Sequence, residues 1–277
     1  VSPSLAALRY LDRRWIFLAI GLLVVVPLLT GFHIAPVKPS PPSRGFFNAI
    51  ERLPAGATVL LAGDYDPGTI AENYPMQLAA ARHLMARNVK IIAVELYPGG
   101  PPLTDRVLRI AGEEYHKREG YDYVNLGFKS GNEVVMSQMG SSIPRTFPAD
   151  RSGTPVSRIP VMKGVENFGQ IALLVSISAG FPGTKEWVQQ IVSRYHVPMI
   201  AGVTAVSAPE YYPYLQAGQL QGLLGGMAGA AEYEVLVNHP ALATHGMDAQ
   251  SLAHVFIAFM ILLGNLAALP QRSAEKR

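Results

Sequence analysis

The sequence predicts a Rossmann-like, three-layer α/β/α domain with a mostly parallel five-stranded sheet, flanked by one transmembrane helix at each end. Three observations lead there. Uncharged apolar runs stand near both ends of the 277 residues, each close to the roughly 20 residues a helix needs to cross a bilayer. Between them, apolar runs of strand length alternate with amphipathic stretches of helix length, the sign of βαβ units. Each strand run closes on turn-forming residues, as strands feeding a helix do.

Residues 1–14 form a short tail carrying Arg9, Arg13 and Arg14, and 15–32 (WIFLAIGLLVVVPLLTGF) form the first span. A cleaved signal peptide also has a basic start, but this apolar run exceeds a usual signal core and lacks a small-x-small site after Thr30. Pro27 is tolerated in membrane helices. The spacer 33–45 contains Pro36, Pro39, Pro41 and Pro42, which favours an extended, semi-rigid stalk.

The α/β domain covers 46–247. It opens with a short helix over Phe46–Leu53. Strands follow at Thr58–Ala62, Lys90–Val94, Tyr123–Leu126, Ile171–Ile177 and Met199–Val203, with helices at about Thr69–Arg87, Leu103–Arg118, Glu133–Gly140 and Lys185–Tyr195. Pro144–Gly164, rich in proline, serine and glycine, reads as a long excursion over the surface. In Leu215–Val237, Gly218, Gly222, Gly225, Gly226 and Gly229 fall near helical spacing. Small residues so placed let another backbone approach, which fits a helix packed tightly on its own sheet or, alternatively, a self-association surface at Gly218–Gly229. Glu232 and Glu234 argue against lipid there.

The second span covers 248–269, with Asp248 as its N-cap. Gly264 and Asn265 interrupt it, and such residues face protein rather than lipid. The implied helix partner is the first span, with its Gly21, or another membrane protein. The tail 270–277 carries Arg272, Lys276 and Arg277. Basic residues on both tails place both termini in the cytoplasm and the domain on the other side of the inner or only membrane; Lys38 and Arg44 pull mildly the other way.

Composition fits a mixed membrane and soluble chain, 49% hydrophobic and 16% charged, with a mean hydropathy of +0.20. The absence of cysteine is compatible with an oxidising compartment. A net charge of +3, concentrated in the tails, leaves a near-neutral domain. The expected partners are therefore the lipid bilayer and a membrane protein, with no nucleic acid.

Chemistry in such a sheet belongs at the carboxyl ends of the strands. Asp64 and Asp66, two residues apart at the first strand end, can hold a divalent cation as metal ligands or pair a base with a ligand, and Glu72 follows one turn later. The competing reading makes Asp66-Pro67-Gly68 turn and capping chemistry. Glu95 and Glu210, at the second and fifth strand ends, are candidates to complete a carboxylate shell, and Lys129 to neutralise an anionic group.

The string DYDPGT after an apolar strand resembles the opening motif of the haloacid dehalogenase phosphatases. That resemblance implies Asp64 as nucleophile and Asp66 as acid. It covers six residues, and the fourth strand end, SISAGFPG, lacks the acidic pair with which that family holds magnesium. No GxGxxG follows the first strand, so a dinucleotide site is unsupported. Ser178 does not sit in a nucleophile elbow, and its neighbourhood reads as a tight strand-to-helix turn. The seven histidines form no close H-x-x-x-H pair. The aromatic group PEYYPY (209–214) suits stacking on a flat ligand, placement at the lipid headgroups or core packing.

These residues give no complete catalytic constellation. The expected function is a membrane-anchored extracytoplasmic domain that binds a ligand or membrane partner and supports assembly or regulation of a membrane complex. The alternative is a divalent-metal-dependent hydrolase or transferase acting on envelope material.

Overall fold

The computed structural model describes residues 12–30 and 37–274, with side chains to 266. Arg9, residues 31–36, Lys276 and Arg277 lie outside the described residues, as does the side chain of Arg272. Two units are distinguished: residues 37–244, and the terminal residues 1–36 with 245–277.

In the terminal unit, α1 (Arg13–Thr30) continues through Pro27. Trp15, Phe17, Leu22 and Leu29 are exposed, whereas Pro27 is buried. This helix and the stretch Leu242–Leu266 are each long and apolar enough to cross a membrane.

The larger unit opens on α2 (Pro41–Glu51), which starts five residues before the predicted helix. Pro41 and Pro42 fill the first turn, where no intrahelical N–H bond is needed. Its N-terminus is held by Glu232, whose Oε2 accepts from Ser40 N at 2.9 Å, Ser40 Oγ at 2.5 Å and Ser43 Oγ at 2.6 Å. The last part of the expected stalk is therefore helix.

Six strands form one parallel sheet: β1 (Thr58–Asp64), β2 (Lys90–Glu95), β3 (Tyr123–Phe128), β4 (Leu173–Ser178), β5 (Met199–Val203) and β6 (Gly222–Gly225), in the order β3-β2-β1-β4-β5-β6. The five predicted strands are all present, and β6 is additional. It lies inside the segment read as a helix from its glycine spacing. Those glycines serve a different close approach. A Cβ on Gly222 would stand 2.0 Å from Phe46 N, and one on Gly229 2.9 Å from the Leu224 carbonyl carbon. Gly226, at φ 61°, makes the turn between strand and helix. Gly222, Gly226 and Gly229 thus face neighbours within the chain, whereas nothing lies within 4 Å of the Cβ position at Gly218.

The connecting helices are α3 (Ile70–Ala86), preceded by a 3-10 turn at Pro67–Thr69, α4 (Pro101–Glu114), α5 (Asn132–Ser141) and α6 (Ile143–Thr146). After β4, α7 (Thr184–Trp187) runs through a π turn at Val188–Val192 into α8 (Ser193–Tyr195). Then come α9 (Ala208–Gln216) and α10 (Gly226–Leu236). On one face of the sheet α3 packs between α4 and α10, and α2 packs on α10 and β6. There His83 of α3 links Tyr233 Oη, 2.7 Å away, to Glu51, 2.8 Å away, and so joins α2, α3 and α10.

The other face carries a continuous apolar core that includes Leu60, Val94, Met136, Trp187, Ile191, Ala201 and Tyr211. Burial on both faces explains why the strand runs are apolar throughout rather than alternating. The 144–164 segment joins this core instead of crossing the surface. Short turns bury Val156, Ile159, Val161 and Met162 against it. PEYYPY is helical, within α9, with Tyr211 buried and Tyr212 exposed.

The last helix, α11 (Leu242–Ala274), begins before the predicted Asp248 cap. Glu234 performs the capping: its carboxylate accepts from Ala241 N (2.9 Å), Ala243 N (3.0 Å), Thr244 N (2.8 Å) and Thr244 Oγ1 (2.7 Å). With the N-terminal amides satisfied there, Asp248 falls inside the helix.

Candidate functional site

The sheet order reverses between β1 and β4, so the crevice beyond their carboxyl ends is where an open α/β sheet gathers ligand-binding groups. Asp64 closes β1 and Ser178 closes β4, paired in register.

Asp64 is fully buried. Its Oδ1 accepts from Leu96 N at 2.6 Å and its Oδ2 from Trp187 Nε1 at 2.7 Å. Burial pushes its carboxyl up to about 6, against the pull of those donors. It thus fastens the end of β1 to the β2–α4 loop on one side and to α7 on the other. Asp66 is the cap of the turn before α3: Oδ1 accepts from Gly68 N at 2.8 Å, and Oδ2 from Tyr97 Oη at 3.3 Å. Glu72 Oε2 accepts from Ala205 N at 2.7 Å and ties α3 to the β5–α9 loop.

Glu95 turns to the opposite face. The register pairs Ala62 with Val94, which sets Gly63 rather than Asp64 beside Glu95. Neither Glu95 oxygen has a hydrogen-bond partner, and burial pushes the carboxyl up to about 8, with Thr104 and Asn125 drawing it partly back and Asp64 adding repulsion. At neutral pH this acid is protonated. Beside it runs a polar chain in which Tyr65 Oη donates to Gln77 Oε1 (2.6 Å) and Gln77 Nε2 to Thr104 Oγ1 (3.0 Å). Gly63 makes room for that chain, because a Cβ there would stand 2.4 Å from Thr104 Oγ1 and 2.7 Å from Gln77 Nε2.

The remaining candidates stand apart. Lys129 is half-buried, with Nζ over the Phe147 ring at 5.9 Å from its centroid. Glu210 is exposed in the first turn of α9. Among the described residues no group of three or more histidines and carboxylates converges as a metal centre. Asp64 and Asp66 already direct their oxygens to protein donors.

Sequence reasoning did not single out Trp187, Asn73 or the hydroxyl cluster at the β4 end. The Thr184 hydroxyl hydrogen-bonds both Ser176 Oγ and Ser178 Oγ there, and Ser178 Oγ also accepts from Thr184 N at 3.0 Å. Asn73 is buried, donates Nδ2 to Ser178 O at 3.1 Å, and leaves Oδ1 without a partner. The only signal for that cluster was SISAG itself, read as a tight strand-to-helix turn, which is its geometry.

Comparison of the chain with protein-family models and with curated proteins finds no match.

Proposed function

We propose that the chain is a Rossmann-like domain held outside the inner or only membrane by two spanning helices, with both termini cytoplasmic. In this reading the carboxyl edge of its sheet docks a membrane partner whose assembly or regulation it supports. The observation that carries the reading is where residues 37–244 leave large apolar side chains uncovered. Phe128 closes β3 at its carboxyl end, and Val134, Phe181 and Val206 stand in loops or first helical turns after such ends, Phe181 at 59% and Val206 at 87% exposure, while Tyr121, Tyr195 and Leu242 are exposed elsewhere in the unit. Exposed apolar side chains at that edge suit protein contact. The acids at that edge favour docking over chemistry, because Asp64, Asp66 and Glu72 bind backbone and side-chain donors of their own chain.

The chain enters the unit beside Glu232 and leaves it beside Glu234, both in the C-terminal half of α10. That half runs back toward the amino edge of the sheet. A photo-crosslinking residue placed at Phe181 or Val206 in native membranes is expected to capture one discrete membrane protein, while the same group at Lys117 captures none. Absence of a specific adduct from both edge positions would sink the proposal.

A second reading, an enzyme, draws on Glu95, a buried acid held neutral near a ligand-gathering strand end. Turnover of ester or phosphate substrates that Glu95→Gln abolishes without unfolding would replace the docking reading with this one.

A further inference from the structure

A second recess opens at the β3 edge of the sheet, away from the β1–β4 crevice. It encloses about 340 Å³ and is lined by Asp105, Arg109, Glu119, Tyr123, Asn125 and Arg151, among others. One wall is built and internally satisfied. Asn125, only 5% exposed, donates Nδ2 to Asp105 Oδ1 at 2.7 Å and accepts from Gly127 N at 2.8 Å. The second Asp105 oxygen pairs with Arg151, whose backbone N donates to Asn125 O at 3.1 Å. Behind this wall stands Glu95, buried and without a partner for either oxygen, and Asp105 and Asn125 both act on its charge.

The other wall is open. Arg109 and Glu119 are exposed and, among the described residues, neither joins an ion pair. Both line the cavity beside Tyr123, whose hydroxyl pKa is raised chiefly by burial, then by Glu119, Glu113 and Asp122, with Arg109 opposing.

We infer that this recess binds a small zwitterion of the α-amino-acid class, its carboxylate on Arg109 and its ammonium on Glu119, against the floor formed by Asn125, Asp105 and Arg151. Two guanidinium groups and two carboxylates around the cavity cancel in charge. An anion alone meets the two acids and a cation alone meets the two arginines, whereas a molecule carrying both charges is opposed by neither. The volume lies at the small end of ligand pockets, which run from about 300 Å³ upward. The site is separate from the carboxyl edge, so it stands whether or not that edge docks a partner.

The test is isothermal titration calorimetry on the full chain in mild detergent, with glycine, L-glutamate, L-lysine and L-leucine as probes and acetate and methylamine as comparators. At least one amino acid is expected to bind saturably, with acetate and methylamine weaker by about ten-fold or more. Arg109→Ala and Glu119→Gln, both at exposed positions, are each expected to weaken that binding by about ten-fold, and Phe181→Asp to leave it unchanged. No saturable heat from any amino acid, acetate binding as tightly as the amino acids, or binding that survives both variants would overturn the inference.

Discussion

Asp64 and Asp66 differ in what a single atom change would do. Replacing Asp64 by Asn turns an acceptor oxygen into an NH₂ group that must face either Leu96 N–H or Trp187 Nε1–H, both donors. A buried donor facing a donor costs about 2–4 kcal/mol, so Asp64→Asn should lower the thermal midpoint by several degrees. Asp66→Asn keeps a good capping oxygen for Gly68 N and should change stability by less than about 0.5 kcal/mol. Calorimetric melting of the two variants side by side checks this, and equal losses would contradict the assignment of tie and cap.

Glu95 gives a pH dependence with a definite sign. Its folded pKa of about 8 lies above its ordinary 4.5, so the folded chain holds the proton more tightly than the unfolded chain. The stabilisation is full below about pH 4.5 and is lost as pH rises through about 8. Each ten-fold gain in proton affinity on folding is worth about 1.4 kcal/mol, so the loss amounts to several kcal/mol. Glu95→Gln, the uncharged isostere, should melt at a temperature nearly constant between pH 6 and 9, where the parent falls.

At this scale the sequence exposed the candidate acids but not their directions. The register of β1 on β2 sets Asp64 toward Trp187 and Glu95 toward Thr104, and a shift of one residue would have reversed either. Register depends on long-range pairing, and DYDPGT and VELYPGG carry no trace of it.

Among the elements, α10 holds both chain ends of the larger unit. Glu232 caps α2 through Ser40 and Ser43, and Glu234 caps α11 through three amides and a hydroxyl. Acidic groups at helix N-termini also favour the helix dipole. Glu234→Ala would strand buried donors and should cost about 3 kcal/mol. In hydrogen exchange, the amides of Ala243 and Thr244 should lose protection first. Unchanged exchange at those amides would show that α11 does not depend on this cap.

The strands and main helices were legible because apolar runs bounded by glycine and proline need no tertiary information. The segment around β6 was not. GLLG is too short for a period, and its Gly222 answers to Phe46 of a helix more than 170 residues away, a fact of packing alone. The early start of α11 was hidden for a related reason: its capping carboxylate comes from the preceding helix rather than from the local sequence, where Asp248 offered the usual signal.

For the whole molecule, the decisive question is which side of the membrane carries residues 37–244. The two apolar helices are long and apolar enough to span, and the basic residues at and beyond their outer ends are the ground for proposing cytoplasmic termini. The chain has no cysteine, so a single introduced thiol reports without background. Ser152→Cys lies in an exposed loop, and Ser2→Cys lies in the N-terminal tail. In intact cells, a membrane-impermeant maleimide should label the first and spare the second until the membrane is broken. The reverse pattern would place the α/β unit in the cytoplasm and with it the edge presented by Phe181 and Val206. Labelling of both in intact cells would mean that the first apolar helix does not span. Because any partner of that edge must share its compartment, this result also decides which membrane proteins a crosslink at Phe181 can reach.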